Sequence, residues 1–163
     1  MNRFRHAGLA ATIAAATVAV QAGDRHRLPQ LPPAQPAALV GACEELAARL
    51  IGLPGTDITG STTIAAGTLV FAWTPVAEHC RVTGRVNQRV SPVDGKTYSI
   101  AFELRLPKAW NGRFFHQGNG GIDGAVVTAN NGFGGGPLTT PLLQGFAVLS
   151  SNAGHDNALG GPA

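Results

Sequence analysis

An α/β domain with a mixed, mostly parallel sheet is the fold class that this sequence predicts, and two observations lead to it. Segments in which apolar and polar residues alternate come first, separated by glycine and proline turns, and they favour antiparallel hairpins. A strand, a glycine-rich loop, a helical segment and a buried strand follow, in the order of a crossover between parallel strands. Of the 163 residues 44% are hydrophobic, 13% are charged and 22 are glycine. This composition excludes a coiled coil and a collagen-like repeat, and the length allows one domain.

The first 22 residues have the three-part pattern of a secretory signal peptide. Arg3 and Arg5 form a positive start, residues 7–20 carry no charge, and Val20-Gln21-Ala22 offers a cleavage point. The apolar run is short for a membrane span, which needs about 20 residues. We therefore predict that residues 1–22 are removed, that the protein is secreted or periplasmic, and that no membrane association remains.

The net charge gives no support to a nucleic-acid partner. Without Arg3 and Arg5 the formal charge falls from +3 to +1. Arg81, Arg85 and Arg89 recur every four residues, but they lie in a segment with strand character and lack aromatic or motif support. We expect no nucleic-acid binding.

Residues 23–41 are predicted to be a linker, because their prolines hold the chain extended. The domain is predicted over residues 42–163 and begins with a helix over residues 42–53, which Pro54-Gly55 ends. Glu44 and Glu45 suit the helix dipole in its first turn. Three leucines would form the buried side of this helix: Leu46, Leu50 and Leu53.

Strand residues dominate from Ile58 to Gln117. The strongest pattern is at residues 97–106, where apolar and polar residues alternate without a miss. The helical part of the crossover is predicted near Leu138–Gln144 and its second strand at Phe146–Ser150. The other strands are predicted at residues 58–71, 81–90 and 113–117, with turns at 91–95 and 107–112.

The glycine loop, Gly118–Gly124, directly follows a predicted strand, and its glycines let backbone N–H groups point at a ligand. It is no dinucleotide motif, because Asp123 stands where G-x-G-x-x-G requires the last glycine, and it lacks the lysine of a phosphate-binding loop. Two interpretations remain. One is an oxyanion loop, which donates a backbone N–H in α/β-hydrolases; the other is a plain glycine turn.

Cys43 and Cys80 are the only cysteines in the chain. An even count in an exported protein favours a disulfide. A zinc site would need further ligands, and only His79 lies beside either cysteine. We therefore predict a disulfide between them.

Several segments resemble the tannase and feruloyl esterase family in order and spacing, over residues 43–157. The resemblance implies an α/β-hydrolase fold, of which this chain would be the N-terminal part. It also implies a carboxylic ester hydrolase that acts by serine acyl transfer on small aromatic esters. The matching segments are Glu78–Gly84, Ile100–Pro107, Trp110–Phe115, the glycine loop, Gly145–Val148 and Gly154–Asn157.

The resemblance also assigns roles to single residues. Gly121, flanked by Gly120, falls where the family loop donates an N–H to the oxyanion. Cys43 and Cys80 fall where the family has an N-terminal disulfide. Asn152 stands where relatives usually have aspartate, which puts any local role of that acid in doubt. The segment Trp110-Asn111-Gly112 resembles the structural turn before the oxyanion-loop strand.

The resemblance implies that the nucleophile, acid and base of the full-length enzyme lie in a segment that would follow Ala163. None of the five serines here has a G-x-S-x-G context, and His79, His116 and His155 are interpreted as structural residues. We therefore expect no esterase activity from the 163-residue chain alone. No metal or cofactor is expected in it; the resemblance leaves calcium for the lid of the full-length enzyme.

The alternative is a secreted, non-catalytic β-rich module that binds an aromatic ligand or a partner protein. Trp73, Trp110 and Phe133 would then form its binding platform, although scattered aromatic residues more often belong to a core. The sequence predicts no oligomeric state.

Overall fold

Five strands form one mixed sheet in the computed structural model, which describes residues 32–119, 124–130 and 139–155. All of its elements belong to a unit that begins at Pro33. A 3-10 turn at Cys43–Glu45 leads into the short helix α1, Leu46–Arg49. The strands are β1 (Ala37–Ala38), β2 (Thr56–Ile64), β3 (Val70–Phe71), β4 (Thr74–Pro75), β5 (His79–Val90), β6 (Thr97–Pro107), β7 (Ala109–Trp110), β8 (Phe114–Gln117) and β9 (Ala147–Ser151).

The large sheet has the strand order β2-β5-β6-β9-β8. Strands β2, β5, β6 and β9 pair antiparallel, and β8 pairs parallel to β9. The alternating segments therefore form antiparallel neighbours and the later segments a parallel crossover, so the sheet is mixed as predicted. It is not mostly parallel in its described part, because three of its four strand pairs are antiparallel. Two short pairs lie outside it, β1 with β7 and β3 with β4.

An apolar cluster packs on each face of this sheet. Because cross-strand partners share a face, the register places Cys80, Val82 and Leu104 on one side, against the 3-10 turn and α1. We call this the disulfide face. On the opposite side, the crossover face, Val148 packs with Ala129 and other residues of the connections.

The predicted helix over residues 42–53 was too long. Regular helical bonding ends where Leu50 N donates to Leu46 O at 2.9 Å. The next amide, Ile51 N, donates instead to the carbonyl three residues before it, Ala48 O, at 3.4 Å. Gly52 then has a φ of 94°. Glycine adopts this left-handed conformation without a steric penalty, so the helix ends there. Leu53 consequently lies outside the core, with 47% of its surface exposed.

The predicted helix near Leu138–Gln144 is a single turn in its described part. Gln144 N donates to Thr140 O at 3.1 Å, and Phe146 N donates to Pro141 O at 2.9 Å. Gly145, with a φ of 82°, then directs the chain into β9. Proline has no N–H to extend a helix, and the chain enters β9 at Ala147, six residues after Pro141.

Part of the predicted linker is described and forms β1. Ala37 and Ala38 pair with Trp110 and Ala109, and Leu39 N donates to Lys108 O at 3.0 Å. The predicted signal peptide lies outside the described residues and stays a prediction. Within the described ranges, no helix has the length and apolar character that crossing a membrane requires.

Candidate functional site

The glycine loop leaves the sheet at the carboxyl end of β8, beside the carboxyl end of its parallel neighbour β9. Gln117, the last residue of β8, is paired with Ser150 of β9. In open sheets with parallel strands, ligands bind at this edge. Gly120 and Gly121, the predicted oxyanion-loop residues, lie outside the described residues, so their role stays a prediction.

Asn119 joins the first arm of the loop to both strands. Its Nδ2 donates to Ser151 O at 2.7 Å and to Ser150 Oγ at 3.3 Å. Its Oδ1 accepts from Gln117 Nε2 at 3.1 Å. An amide side chain offers two donors and an acceptor, which suits it to hold β8 and β9 together where the loop begins.

The chain that returns from the glycine loop, residues 124–130, is held to the sheet at two neighbouring points. We call this segment the returning arm and count it with the loop. Gln117 Nε2 donates to Thr128 O at 3.3 Å. Ala129, which is fully buried, donates its backbone N–H to Glu103 Oε1 at 2.9 Å. The arm is therefore attached to β8 through Gln117 and to β6 through Glu103.

Glu103 belongs to a row of polar side chains on the crossover face. Its carboxylate accepts from Arg105 Nε at 2.7 Å. Arg105 Nη1 in turn donates to His79 Nε2 at 2.7 Å, and His79 Nδ1 donates to Ala77 O at 2.8 Å. Burial, with the nearby Arg105 charge as a lesser contribution, lowers the pKa of His79 below its ordinary value. Because a guanidinium only donates and a carbonyl oxygen only accepts, His79 Nε2 is the acceptor and Nδ1 carries the proton.

Sequence reasoning assigned His79 a structural role, which its burial confirms, but it missed Glu103 and Arg105. Both occupy the polar positions of an alternating strand, a pattern typical of a sheet with one solvated face. Arg105 is nevertheless only 6% exposed. The central position of the strand and the crossover that must cover its second face were the features that could have revealed this.

Cys43 and Cys80 form the predicted disulfide. Their Cα atoms are 5.4 Å apart, and both residues are buried. The bond joins the 3-10 turn to β5 and lies at the centre of the apolar cluster on the disulfide face.

The Trp110-Asn111-Gly112 turn connects the starts of β8 and β9. Asn111 Nδ2 donates to Gln144 O at 2.8 Å, and Asn111 N donates to Gly145 O at 2.9 Å. Trp110 Nε1 donates to Arg113 O at 2.6 Å. The turn therefore has the structural role that the resemblance implied.

Gly112→Ala is expected to destabilise the protein more than Gly95→Ala. Both glycines have a positive φ, 82° at Gly112 and 70° at Gly95. A Cβ added at Gly112 would lie 2.6 Å from the Gln35 backbone, whereas a Cβ added at Gly95 would have no atom within 4 Å. The left-handed conformation costs alanine about 1 kcal/mol, and the clash should add about 2 kcal/mol at Gly112 alone. Urea unfolding of the two variants measures the difference; equal costs would contradict the close approach.

Asn152 has an acceptor role at the position where the resemblance implied an aspartate. Its Oδ1 accepts from Ala101 N at 2.9 Å and from Gly154 N at 3.1 Å. An aspartate oxygen could accept the same two bonds, so the change to asparagine removes charge without removing these contacts.

The other histidines and the aromatic residues lie at separate places in the described part of the chain. His155 N donates to Asn152 O at 2.9 Å, in agreement with a structural role of this segment. His116 was expected to pack, but its side chain is exposed. Trp73 and Trp110 lie on separate two-stranded sheets, and Phe133 lies outside the described residues. No cluster of metal-ligating side chains occurs among residues 32–119, 124–130 and 139–155.

The fold resembles part of a solved structure. A solved esterase from Aspergillus oryzae aligns with 70% of this chain and 22% of its own, at a TM-score of 0.50 and 24% identity. The family model described as tannase and feruloyl esterase matches residues 80–162. The chain belongs to this family.

Two curated relatives support the family membership. A mono(2-hydroxyethyl) terephthalate hydrolase of Piscinibacter sakaiensis is 43% identical over 82 residues, which are 50% of this chain and 13% of that protein. An uncharacterized esterase of Agrobacterium fabrum is 33% identical over 130 residues, 75% of this chain and 22% of that protein. The chain thus spans less than a quarter of the length of either relative.

Proposed function

We propose that this chain supplies the oxyanion loop of a carboxylic ester hydrolase that cleaves small aromatic-acid esters. The observation that carries the proposal is the anchored start of the glycine loop, where Asn119 joins the carboxyl ends of β8 and β9. Family membership supports the esterase class. The family's description as feruloyl esterase and the relative named for a terephthalate ester support the aromatic substrate.

The proposed reaction is acyl transfer through a serine in two steps. The serine oxygen bonds to the ester carbonyl carbon while a histidine takes the hydroxyl proton, and the alcohol leaves with that proton. Water then attacks the acyl-enzyme and releases the acid. We propose that the serine, the histidine and its acidic partner come from a segment outside these 163 residues.

Gly121 N–H is proposed to donate to the oxygen that becomes negative in each tetrahedral intermediate. A single donor of this kind contributes about 3 kcal/mol of transition-state stabilisation. The same proposal places the protein outside the cytoplasm, either secreted or periplasmic. The Cys43–Cys80 disulfide supports that location, because such bonds persist in oxidising compartments.

The test compares the 163-residue chain with the full polypeptide that its gene encodes, on p-nitrophenyl acetate and methyl ferulate. We expect the full polypeptide to hydrolyse both esters and the 163-residue chain to leave them intact. Reading the gene beyond the codon for Ala163 should reveal a serine elbow beside a cysteine. Turnover by the shorter chain would contradict the proposed division of the site, and an inactive full polypeptide would contradict the esterase proposal.

One observation favours the alternative, a non-catalytic module. Trp73 is 96% exposed at the turn between β3 and β4, and an exposed tryptophan can stack on an aromatic ligand. A stop codon after Ala163, together with a folded product whose tryptophan fluorescence ferulate quenches, would support this alternative over the esterase.

A further inference from the structure

Side chains attach both arms of the glycine loop to the sheet. The first arm is held by Asn119, whose amide donates to the backbone of β9. Gln117, at the end of β8, contacts both arms through Asn119 and Thr128 O, and Asn119 also donates to Ala125 O.

A further contact reaches the returning arm from the middle of the sheet. It is made by Glu103, whose carboxylate accepts from the buried Ala129 N–H at 2.9 Å. Glu103 lies on β6, which is not adjacent to β8, so this contact fixes the arm relative to the middle of the sheet.

The Glu103 carboxylate is itself held in place. Its Oε1 accepts simultaneously from Ala129 N and from Arg105 Nε, and the Glu103 and Arg105 side chains are 13% and 7% exposed. His79 takes a second guanidinium N–H of Arg105 and is anchored on Ala77 O. Because Arg105 and His79 are buried and hydrogen-bonded, the Glu103 carboxylate has little freedom to shift. A fixed carboxylate in turn fixes the position of the Ala129 N–H that donates to it.

We infer that Glu103 is a positioning residue for the glycine loop, with Arg105 and His79 holding its carboxylate. The inference rests on the proposed function in one respect, since the catalytic consequence requires that the loop donate to the oxyanion. The positioning itself is a property of the fold. A displacement of about 1 Å in a catalytic group can lower a rate about a hundredfold. The Glu103–Ala129 attachment would prevent such a displacement of the loop.

Amide hydrogen exchange tests the positioning directly in the full polypeptide. Glu103→Ala removes the acceptor, and we expect Ala129 and its neighbours in residues 124–130 to exchange at least tenfold faster than in the wild type. Glu103→Gln keeps an oxygen acceptor without its charge and should give a smaller increase. Glu78, which pairs with Lys108 at the surface, provides matched controls in Glu78→Ala and Glu78→Gln, with unchanged exchange in residues 124–130.

The pattern of exchange separates positioning from general destabilisation. Faster exchange in residues 124–130 through an opening that costs less free energy than global unfolding of the same variant supports the inference. Exchange of these residues only at the rate that global unfolding sets for β5 and β6, or no increase at all, overturns it. If Glu103→Ala does not fold, Glu103→Gln against Glu78→Gln decides by the same criterion.

Kinetics on methyl ferulate test the catalytic consequence. We expect Glu103→Ala to lower kcat about tenfold or more with KM little changed, and Glu103→Gln to restore part of kcat, because the substrate need not touch Glu103. An active wild type whose kcat is unaffected by Glu103→Ala overturns the inference. An inactive wild type overturns the proposed esterase function instead, and the exchange result then decides the positioning role alone.

Discussion

Glu103→Leu is expected to lower the free energy of unfolding by about 3–5 kcal/mol. The substitution leaves the Arg105 guanidinium buried without its carboxylate, and it also removes the acceptor of Ala129 N–H. A buried charge that loses its partner incurs most of its desolvation cost without the compensating attraction. Urea unfolding monitored by tryptophan fluorescence would measure the change.

Two controls define the origin of this loss. Adding Arg105→Met to Glu103→Leu should recover much of the stability, because an apolar side chain replaces the unpaired charge. Recovery should be incomplete, since Ala129 N–H and His79 Nε2 still lack their partners. Glu78→Leu, in the surface pair with Lys108, should change the stability by about 1 kcal/mol or less. A double variant as unstable as Glu103→Leu would show that the charge is not responsible.

Replacing Cys43 and Cys80 together by alanine is expected to cost about 4 kcal/mol of unfolding free energy in the chain-entropy description. The bond links positions 37 residues apart in sequence, and without it the unfolded chain gains the corresponding freedom. The 3-10 turn and α1 should separate from β5 first, because the disulfide lies at the centre of the cluster that they share. Thermal unfolding by circular dichroism would measure the loss.

Reductant provides the matched control for the disulfide. Dithiothreitol should lower the Tm of the wild type and leave the Tm of the double alanine variant unchanged. Reduction also breaks the cross-link without deleting the two buried sulfur atoms, so the remaining difference between reduced wild type and variant reports the loss of packing. A wild-type Tm that is insensitive to reductant would contradict the expected contribution.

The strand pattern was predictable because it depends on neighbouring residues. Alternation over residues 97–106 predicted β6, observed at Thr97–Pro107, and an apolar run at Phe146–Ser150 predicted β9 to within one residue. The two helices were predicted too long, because leucine spacing does not report where a glycine such as Gly52 ends a helix. Helix length depended on the backbone conformation of single residues and on the point at which the chain rejoins the sheet.

The sequence by itself therefore determined three features of this protein: the strands, from alternation; the disulfide, from a pair of cysteines; and the glycine loop that follows a strand. Only the fold assigns partners across the chain. Glu103 and Ala129 are 26 residues apart in sequence, as are His79 and Arg105. His79 and Arg105 meet through the antiparallel register of β5 and β6. Glu103 and Ala129 meet because the crossover returns over the second face of the sheet, where it encloses positions that alternate as if they faced water. Because a segment distant in sequence buries Glu103 and Arg105, these polar side chains can hold the returning arm of the loop. The alternating pattern of a strand does not indicate which segment will cover it.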